Sequence, residues 1–276
     1  MVRDGGIDMH EERRGKIRDG REGSRLSAGL SVWALLAKSS FIKVLAVAFL
    51  MAAAEMALFY DTLGGGWITA LEVLIEKSGA RYLFLTALGA VFFILVRTEK
   101  ALDTAGRYTM MRLRIDRECL FAVKTAYNVL CLLVLFAVQT GLVFWFAYAY
   151  GRTPELQGLE NGGAVARQVI VMAVYRSEFL HSLFPMAEIG NWVRNALLLL
   201  AFGTEAAGGA GRKHQAAQVA LFTLAVVCFV GSIGTGWPDV ICDMAFLVTI
   251  GANVREAFAF RREMRLCREP GQSGRA

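Results

Sequence analysis

The chain has 276 residues, 55% of them hydrophobic, and a positive mean hydropathy of +0.45. Several apolar runs of about 17 to 25 residues match the length that a helix needs to cross a ~30 Å hydrocarbon layer. The net charge of +6 does not indicate nucleic-acid binding, because the charges lie in the gaps between the apolar runs. These features predict an all-α, polytopic membrane protein, and the four prolines argue against a turn-rich β protein.

The N-terminal segment mixes charge and glycine, and no apolar run follows it at once. We therefore expect a disordered cytosolic tail over 1–25 rather than a signal peptide. Apolar residues then recur at helical spacing, at Leu26, Leu30, Trp33 and Ala37. This spacing predicts either a short helix in the cytoplasmic interface over 26–39 or an extension of the first span.

About six membrane spans are expected within one domain over residues 26–258. Their approximate ranges are 41–60, 80–96, 125–150, 190–207, 216–234 and 238–254. The fourth range is the least apolar, because Arg194 and Glu205 lie inside it. The preceding run, 168–184, is interrupted by charged residues, which favours a helix on the outer face over a seventh span.

The distribution of basic residues predicts the orientation of the spans. With both termini in the cytoplasm, the cytosolic segments hold 23 of the 30 Lys and Arg residues and the outer segments hold five. The cytosolic segments are 1–40, 97–124, 208–215 and 255–276, so residues 259–276 form a basic cytosolic tail. We expect a multi-pass protein of the cell membrane, either a bacterial inner membrane or a plasma membrane.

Motifs for catalysis, metal binding and phosphate binding are absent from the sequence. The glycine run GGAGRKH, residues 208–214, lacks the GK[ST] ending that would hold phosphates and Mg²⁺. The three histidines are far apart in the sequence, and the five cysteines form no CxxC pair. We therefore expect no enzyme activity, no metal or other cofactor, and no nucleic-acid partner.

The most informative segment is the basic loop expected between the second and third spans. It holds a mixture of apolar and basic residues that includes Met110, Leu113, Ile115 and Arg117. Such a mixture suits a short helix that presses on a cytosolic partner, and it suits equally an amphipathic helix held by anionic lipid. Composition alone leaves both interpretations open.

The order TMMRLRIDR over residues 109–117, followed by Lys124 at the start of the third span, resembles the corresponding loop of type-2 ABC exporter permeases. The six spans and the in-facing termini are also similar to that family. The sequence differs from the family pattern at Arg114 and Asp116, where proline and serine are usual. In that family the loop forms a helix that docks in a groove of the ATPase subunit.

The resemblance implies the function of a membrane-spanning permease subunit of an ATP-driven transporter. Its implied partners are a separate cytosolic ATPase subunit, a second permease copy or homologue, and the lipid bilayer. The residues implied in partner docking are Met110, Leu113, Ile115 and Arg117. The alternative from a different class is a non-transporting integral membrane scaffold or accessory protein.

Three charged residues lie within the predicted spans at similar depth, near the outer ends: Glu55, Arg194 and Asp243. An unpaired charge in hydrocarbon costs several kcal/mol, so we expect Arg194 to meet Glu55 or Asp243. This intramembrane polar cluster would either hold the bundle together or line a translocation path.

Single cysteines in a cysteine-free background test the expected orientation. An impermeant thiol reagent applied from outside should label Gly158→Cys and leave Arg107→Cys and Arg265→Cys unlabelled, because only the first position is expected outside. Permeabilised cells, in which all three positions should react, provide the control. Labelling of position 265 in intact cells would contradict the six-span orientation.

Overall fold

The computed structural model describes residues 29–64, 70–105, 117–152, 172–173, 176–183, 189–208, 212–230 and 237–266. Every regular element in these ranges is helical, which confirms the all-α prediction for this part of the chain. The helices are α1 (Gly29–Leu63), α2 (Leu71–Lys77), α3 (Ala80–Ala105), α4 (Arg117–Gly151), α5 (Glu178–Leu183), α6 (Ile189–Gly208), α7 (Arg212–Val230) and α8 (Trp237–Leu266).

Three of these helices are long and apolar enough to cross a membrane: Gly29–Leu63, Ala80–Thr98 within α3, and Glu118–Gly151 within α4. The apolar part of α7, His214–Val230, is shorter. Many large apolar side chains face outward; on α1, Ile42, Phe49 and Leu50 are 70% to 76% exposed. An apolar outer surface on apolar helices is the arrangement of a membrane protein, in which lipid covers what water would leave uncovered.

Contacts between α1 and α4 show that the two helices run parallel. Near their N-terminal ends, the hydroxyl groups of Ser40 and Tyr127 lie 2.8 Å apart in a hydrogen bond. Near their C-terminal ends, Trp145 Nε1 donates to Tyr60 Oη at 3.3 Å. The order of the two contacts is the same along both helices, so α1 and α4 point in one direction.

The remaining long helices alternate with them. Arg81, at the start of α3, donates to the carbonyl oxygen of Val230, at the end of α7, so these helices are antiparallel. The same reasoning applies to α6 and α8, which meet where Glu205 accepts from Asn253 near the C-terminal end of α6. Successive long helices therefore alternate in direction from α1 to α8.

This alternation gives the bundle two distinct ends. The basic end holds the residues Gly29, Ala105, Arg117, Gly208, Arg212 and Leu266. The opposite end holds Leu63, Ala80, Gly151, Ile189, Val230 and Trp237. The two names refer to the position of these residues in the bundle.

Several helices continue past the predicted spans at the basic end. α3 reaches Ala105 and α4 begins at Arg117, so much of the expected loop 97–124 is helical. α8 continues to Leu266, into the expected tail. Charged residues end an apolar run, but they do not end a helix in water, because the backbone hydrogen bonds are satisfied within the helix.

The segment before the first span is part of α1, which is one continuous helix from Gly29. It is thus the extension of the first span and not a separate interfacial helix. Residues Ala37–Phe41 form a π-helical segment. There the hydroxyl groups of Ser39 and Ser40 both donate to the carbonyl oxygen of Leu36, in competition with the regular backbone bonds.

The run 168–184 contains the short helix α5, whose six residues span only about 9 Å. A helix of this length does not cross a membrane. Asn195 Nδ2 of α6 donates to the carbonyl oxygen of Ser182 at 2.9 Å, which fixes α5 against the opposite end of α6. Arg176 pairs with Glu72 of α2 at 3.4 Å, so α2 and α5 cover the same end.

α6 is enclosed by its neighbours, with 11 of its 20 residues buried. Gly203 allows α4 to approach closely, because a Cβ atom there would lie 2.5 Å from Val129 Cγ2 and 3.3 Å from the carbonyl oxygen of Thr125. Small residues commonly permit such close approach of helices in membranes. The close contact of α4 with α6 forms the centre of the bundle.

Gly203→Ala tests this contact. The added methyl group must push α4 away from α6, so we expect a loss of about 1–3 kcal/mol in the free energy of unfolding. Gly141→Ala in α4 is the matched control, because its Cβ would meet nothing within 4 Å; the better helix propensity of alanine should leave stability unchanged or raise it. Unfolding in mixed detergent, followed by circular dichroism, measures both. Equal effects of the two variants would contradict the close approach.

Candidate functional site

The residues expected to dock a partner fall between α3 and α4. Met110, Leu113 and Ile115 lie outside the described residues, and Arg117 is the first residue of α4. Both flanking helix ends, Ala105 and Arg117, belong to the basic end. The expected docking segment is therefore connected to the bundle by two helices at this end.

The expected polar cluster has a different arrangement around Glu55. This side chain is 1% exposed, and Gln139 Nε2 of α4 donates to its Oε2 atom at 2.9 Å. Gln139, and not Arg194, is thus the partner of Glu55 within the described ranges. The physical reason is rotational: sequence gave the depth of Glu55, but α1 turns this face toward α4.

The other two members of the expected cluster lie on helices that pack against each other. Arg194 of α6 is buried, and Asp243 of α8 is partly buried. Because α6 and α8 form an extensive interface, the pairing of Arg194 with Asp243 stays a prediction. Substitution of Glu55 and of Arg194 by leucine should then have additive effects on stability, since the two do not share a partner.

A second polar group, which the sequence reasoning did not identify, joins α6, α7 and α8 at the basic end. We call Glu205, His214 and Asn253 the three-helix hub. His214 Nδ1 lies 3.1 Å from Glu205 Oε1, and Asn253 Nδ2 donates to Glu205 Oε2 at 2.9 Å. Each oxygen of the Glu205 carboxylate, which is 1% exposed, thus contacts a nitrogen of a neighbouring helix.

The local sequence explains how the hub forms. Only residues 209–211 separate α6 from α7, so the antiparallel helices bring Glu205 and His214 together. Gly208 leaves space for them, because a Cβ atom there would lie 3.5 Å from His214 Cε1. Asn253 joins from α8, which packs along α6.

His214 also contacts a carboxylate at the surface. Its Nε2 atom lies 3.4 Å from Glu256 Oε2, and Glu256 is 70% exposed. A neutral imidazole has one N–H group and can donate to only one of the two carboxylates. The buried Glu205 has the stronger need for that donor, because water can solvate Glu256. The hub is therefore suited to hold three helices together, with Glu256 at its rim.

Two further buried polar contacts connect the hub's end of the bundle to α1. The hydroxyl of Tyr127 in α4 bonds to Ser40 beside the π-helical segment, and Trp33 packs edge-on against the same tyrosine at 5.6 Å. The next residue, Asn128, donates from Nδ2 to the carbonyl oxygen of Gly203 at 3.3 Å. Polar contacts thus link α1 to α4 and α4 to α6 at the basic end.

The sequence contained a signal for the hub. Glu205, His214 and Asn253 all fall near the cytosolic ends of the fourth, fifth and sixth predicted spans. The comparison of depths that grouped Glu55, Arg194 and Asp243 would have grouped these three as well. Their spacing along the chain concealed them, because their proximity depends on the turn between α6 and α7.

Comparisons of the chain with known protein families, with curated proteins and with solved structures found no match. The interpretation of these sites therefore depends on the chain's own contacts and on the resemblance of residues 109–117 to a known loop.

The hub can be tested by comparing its two carboxylates. Glu205→Leu removes the acceptor of two buried nitrogen donors, so we expect it to lower the free energy of unfolding by about 1–3 kcal/mol or more. Glu256→Leu removes an exposed contact of the same histidine and should cost less than about 1 kcal/mol. Detergent unfolding of the two variants measures the difference. A larger loss for Glu256→Leu would contradict the hub.

Proposed function

We propose that this protein is the membrane-spanning permease subunit of an ATP-driven transporter and works with a separate ATPase subunit at its basic end. The observation that carries the proposal is the position of the segment 106–116 between the extended ends of α3 and α4. The resemblance of residues 109–117 to the coupling loop of type-2 exporter permeases supplies the chemistry of the contact.

The lengths of the flanking helices support a docking site outside the bilayer. α4 has 35 residues and is about 52 Å long, which exceeds a ~30 Å hydrocarbon layer. α3 continues beyond its apolar part, which ends at Thr98, to Ala105. The added turns carry charged residues, among them Arg97, Glu99, Lys100, Asp103 and Glu118. A segment connected to two such helices lies at a distance from the lipid that a cytosolic partner can reach.

The buried polar contacts of α4 supply a mechanical path from this segment into the bundle. Tyr127 and Asn128 lie about 16 Å along α4 from its first residue. Tyr127 bonds to Ser40 of α1, and Asn128 bonds to the backbone of α6. A displacement of α4 by a docked ATPase would therefore move α1 and α6 as well, and the hub would pass it on to α7 and α8.

The alternating directions of the long helices support six crossings with both termini in the cytoplasm. In this arrangement the basic end faces the cytoplasm of a cell membrane, as the distribution of Lys and Arg predicts. α6 and α8 contain more charge than an ordinary span, and α6 is correspondingly enclosed by protein. Lipid covers the outward apolar faces, and a second permease copy or homologue completes the transporter.

One observation favours the alternative of a non-transporting membrane scaffold. The hub, the Ser40 contact with Tyr127 and the pairing of Glu55 with Gln139 all join helices to each other. Contacts of this kind stabilise a static bundle as well as a moving one. The two functions differ in whether a nucleotide-binding protein binds at residues 106–116.

Leu113→Asp tests the docking segment. On a helix, Leu113 shares a face with Met110, and an aspartate there would place a charge in the apolar centre of the contact. We expect the ATPase to be lost from protein purified in mild detergent, while the variant still inserts in the membrane. Met111→Asp is the matched control, because position 111 lies about 200° around the helix from position 113; it should retain the ATPase.

Arg117→Ala should weaken this association less than Leu113→Asp, since charges at the rim of a contact contribute little in water. Mass spectrometry of the co-purified proteins gives the readout. If the wild-type protein carries no protein with a GxxxxGK[ST] motif, the permease proposal fails and the scaffold remains. If binding instead depends on anionic lipid alone, the segment is a lipid-surface helix.

A further inference from the structure

The contact between Glu55 of α1 and Gln139 of α4 is incomplete. Gln139 Nε2 donates to Glu55 Oε2 at 2.9 Å, and this is the hydrogen bond that joins the two side chains. The second oxygen of each group, Glu55 Oε1 and Gln139 Oε1, is buried without a hydrogen-bond donor within the described ranges. Gln139 is 0% exposed and Glu55 is 1% exposed, so neither atom is in contact with bulk solvent.

Two buried acceptors without a donor are costly, because each loses its hydrogen bonds to water and gains none. An ionised carboxylate and an amide carbonyl both only accept. The pair therefore needs one additional donor, and the two unsatisfied oxygens belong to the same two groups that already share a hydrogen bond. A hydrogen atom on Glu55 Oε1 would satisfy both at once.

We propose that the Glu55 and Gln139 pair is a proton-binding site, in which the neutral carboxyl of Glu55 donates from Oε1 to Gln139 Oε1. The amide then donates from Nε2 to Oε2, so the two planar groups form a ring with two hydrogen bonds. The ligand is a single proton, taken from water and returned to it, and no other bond forms or breaks.

The surroundings of Glu55 favour a proton over a metal ion or an ion pair. The helices packed against α1 are α2, α3 and α4. Their ionisable groups, and those of α1 itself, form no ion pair or hydrogen bond with Glu55 among the described residues. A metal ion would need several more oxygen ligands than the two available acceptors. A proton needs only those two.

This site adds to the proposed function and does not depend on it. An ionisable residue within an apolar helix commonly marks a proton or ion pathway in membrane proteins. The proton neutralises Glu55 and holds α1 against α4 in the same ring of hydrogen bonds. Separation of α1 from α4 would break both bonds and allow release of the proton, which couples helix movement to protonation.

Two variants distinguish the proton-binding pair from an ionised carboxylate. Glu55→Gln replaces the O–H donor by an N–H donor of the same shape, so it should keep both hydrogen bonds and unfold within a degree or two of wild type. Gln139→Leu removes the partner of both atoms and should lower the unfolding temperature by several degrees. If Glu55→Gln lowers it as much as Gln139→Leu does, the proposal is wrong.

Infrared difference spectra of the full chain in lipid vesicles provide a readout that a merely structural role would not move. The spectrum of wild type minus Glu55→Gln should contain the C=O stretch of a protonated carboxyl, and this band should shift in D₂O. A difference spectrum that shows the bands of a carboxylate in its place would overturn the proposal. Gln139→Leu should shift the carboxyl band or abolish it, because its hydrogen-bond partners are gone.

Discussion

The enclosure of α6 is the constraint on which the rest of the bundle depends. This helix carries Asn195, Thr204 and Glu205 among its buried residues, and hydrocarbon offers such groups no hydrogen-bond partner. Each therefore has to find one inside the protein. Neighbouring helices supply them: α5 at the opposite end, and α7 and α8 at the basic end. The close packing of α4 at Gly203 completes the enclosure, so that the least apolar long helix lies at the centre.

The same contacts give the bundle a division of labour between its two ends. At the basic end, buried polar contacts run from Ser40 through Tyr127 and Asn128 to the hub, close to the segment that we propose as the docking site. The proton-binding pair of Glu55 and Gln139 lies farther along the parallel helices α1 and α4. A displacement of α4 would thus act on both α6 and the pair. A transporter needs such a connection between a cytosolic partner and the membrane interior, and a scaffold does not.

The sequence predicted the helical class and the approximate place of the long helices, because apolar runs and charged gaps are local properties. Helix ends were less accessible: α3 and α4 continue into water, where hydropathy no longer follows helix structure. Partners across the bundle depend on the rotation of each helix about its axis. The depth of Glu55 was therefore readable, but its pairing with Gln139 was not. The hub was missed for the related reason that Glu205 and His214 meet only once the turn between α6 and α7 forms.

The account depends most on α6 crossing the membrane in spite of its buried charge. The length and composition of α1, α3 and α4 by themselves would allow a protein with three crossings, in which all residues after α4 stay outside. A cysteine at Ala210, in the turn between α6 and α7, separates the two cases directly. If α6 crosses, an impermeant thiol reagent should label Ala210→Cys only after the cells are permeabilised. Labelling of this position in intact cells, with Gly158→Cys labelled as the positive control, would contradict the account.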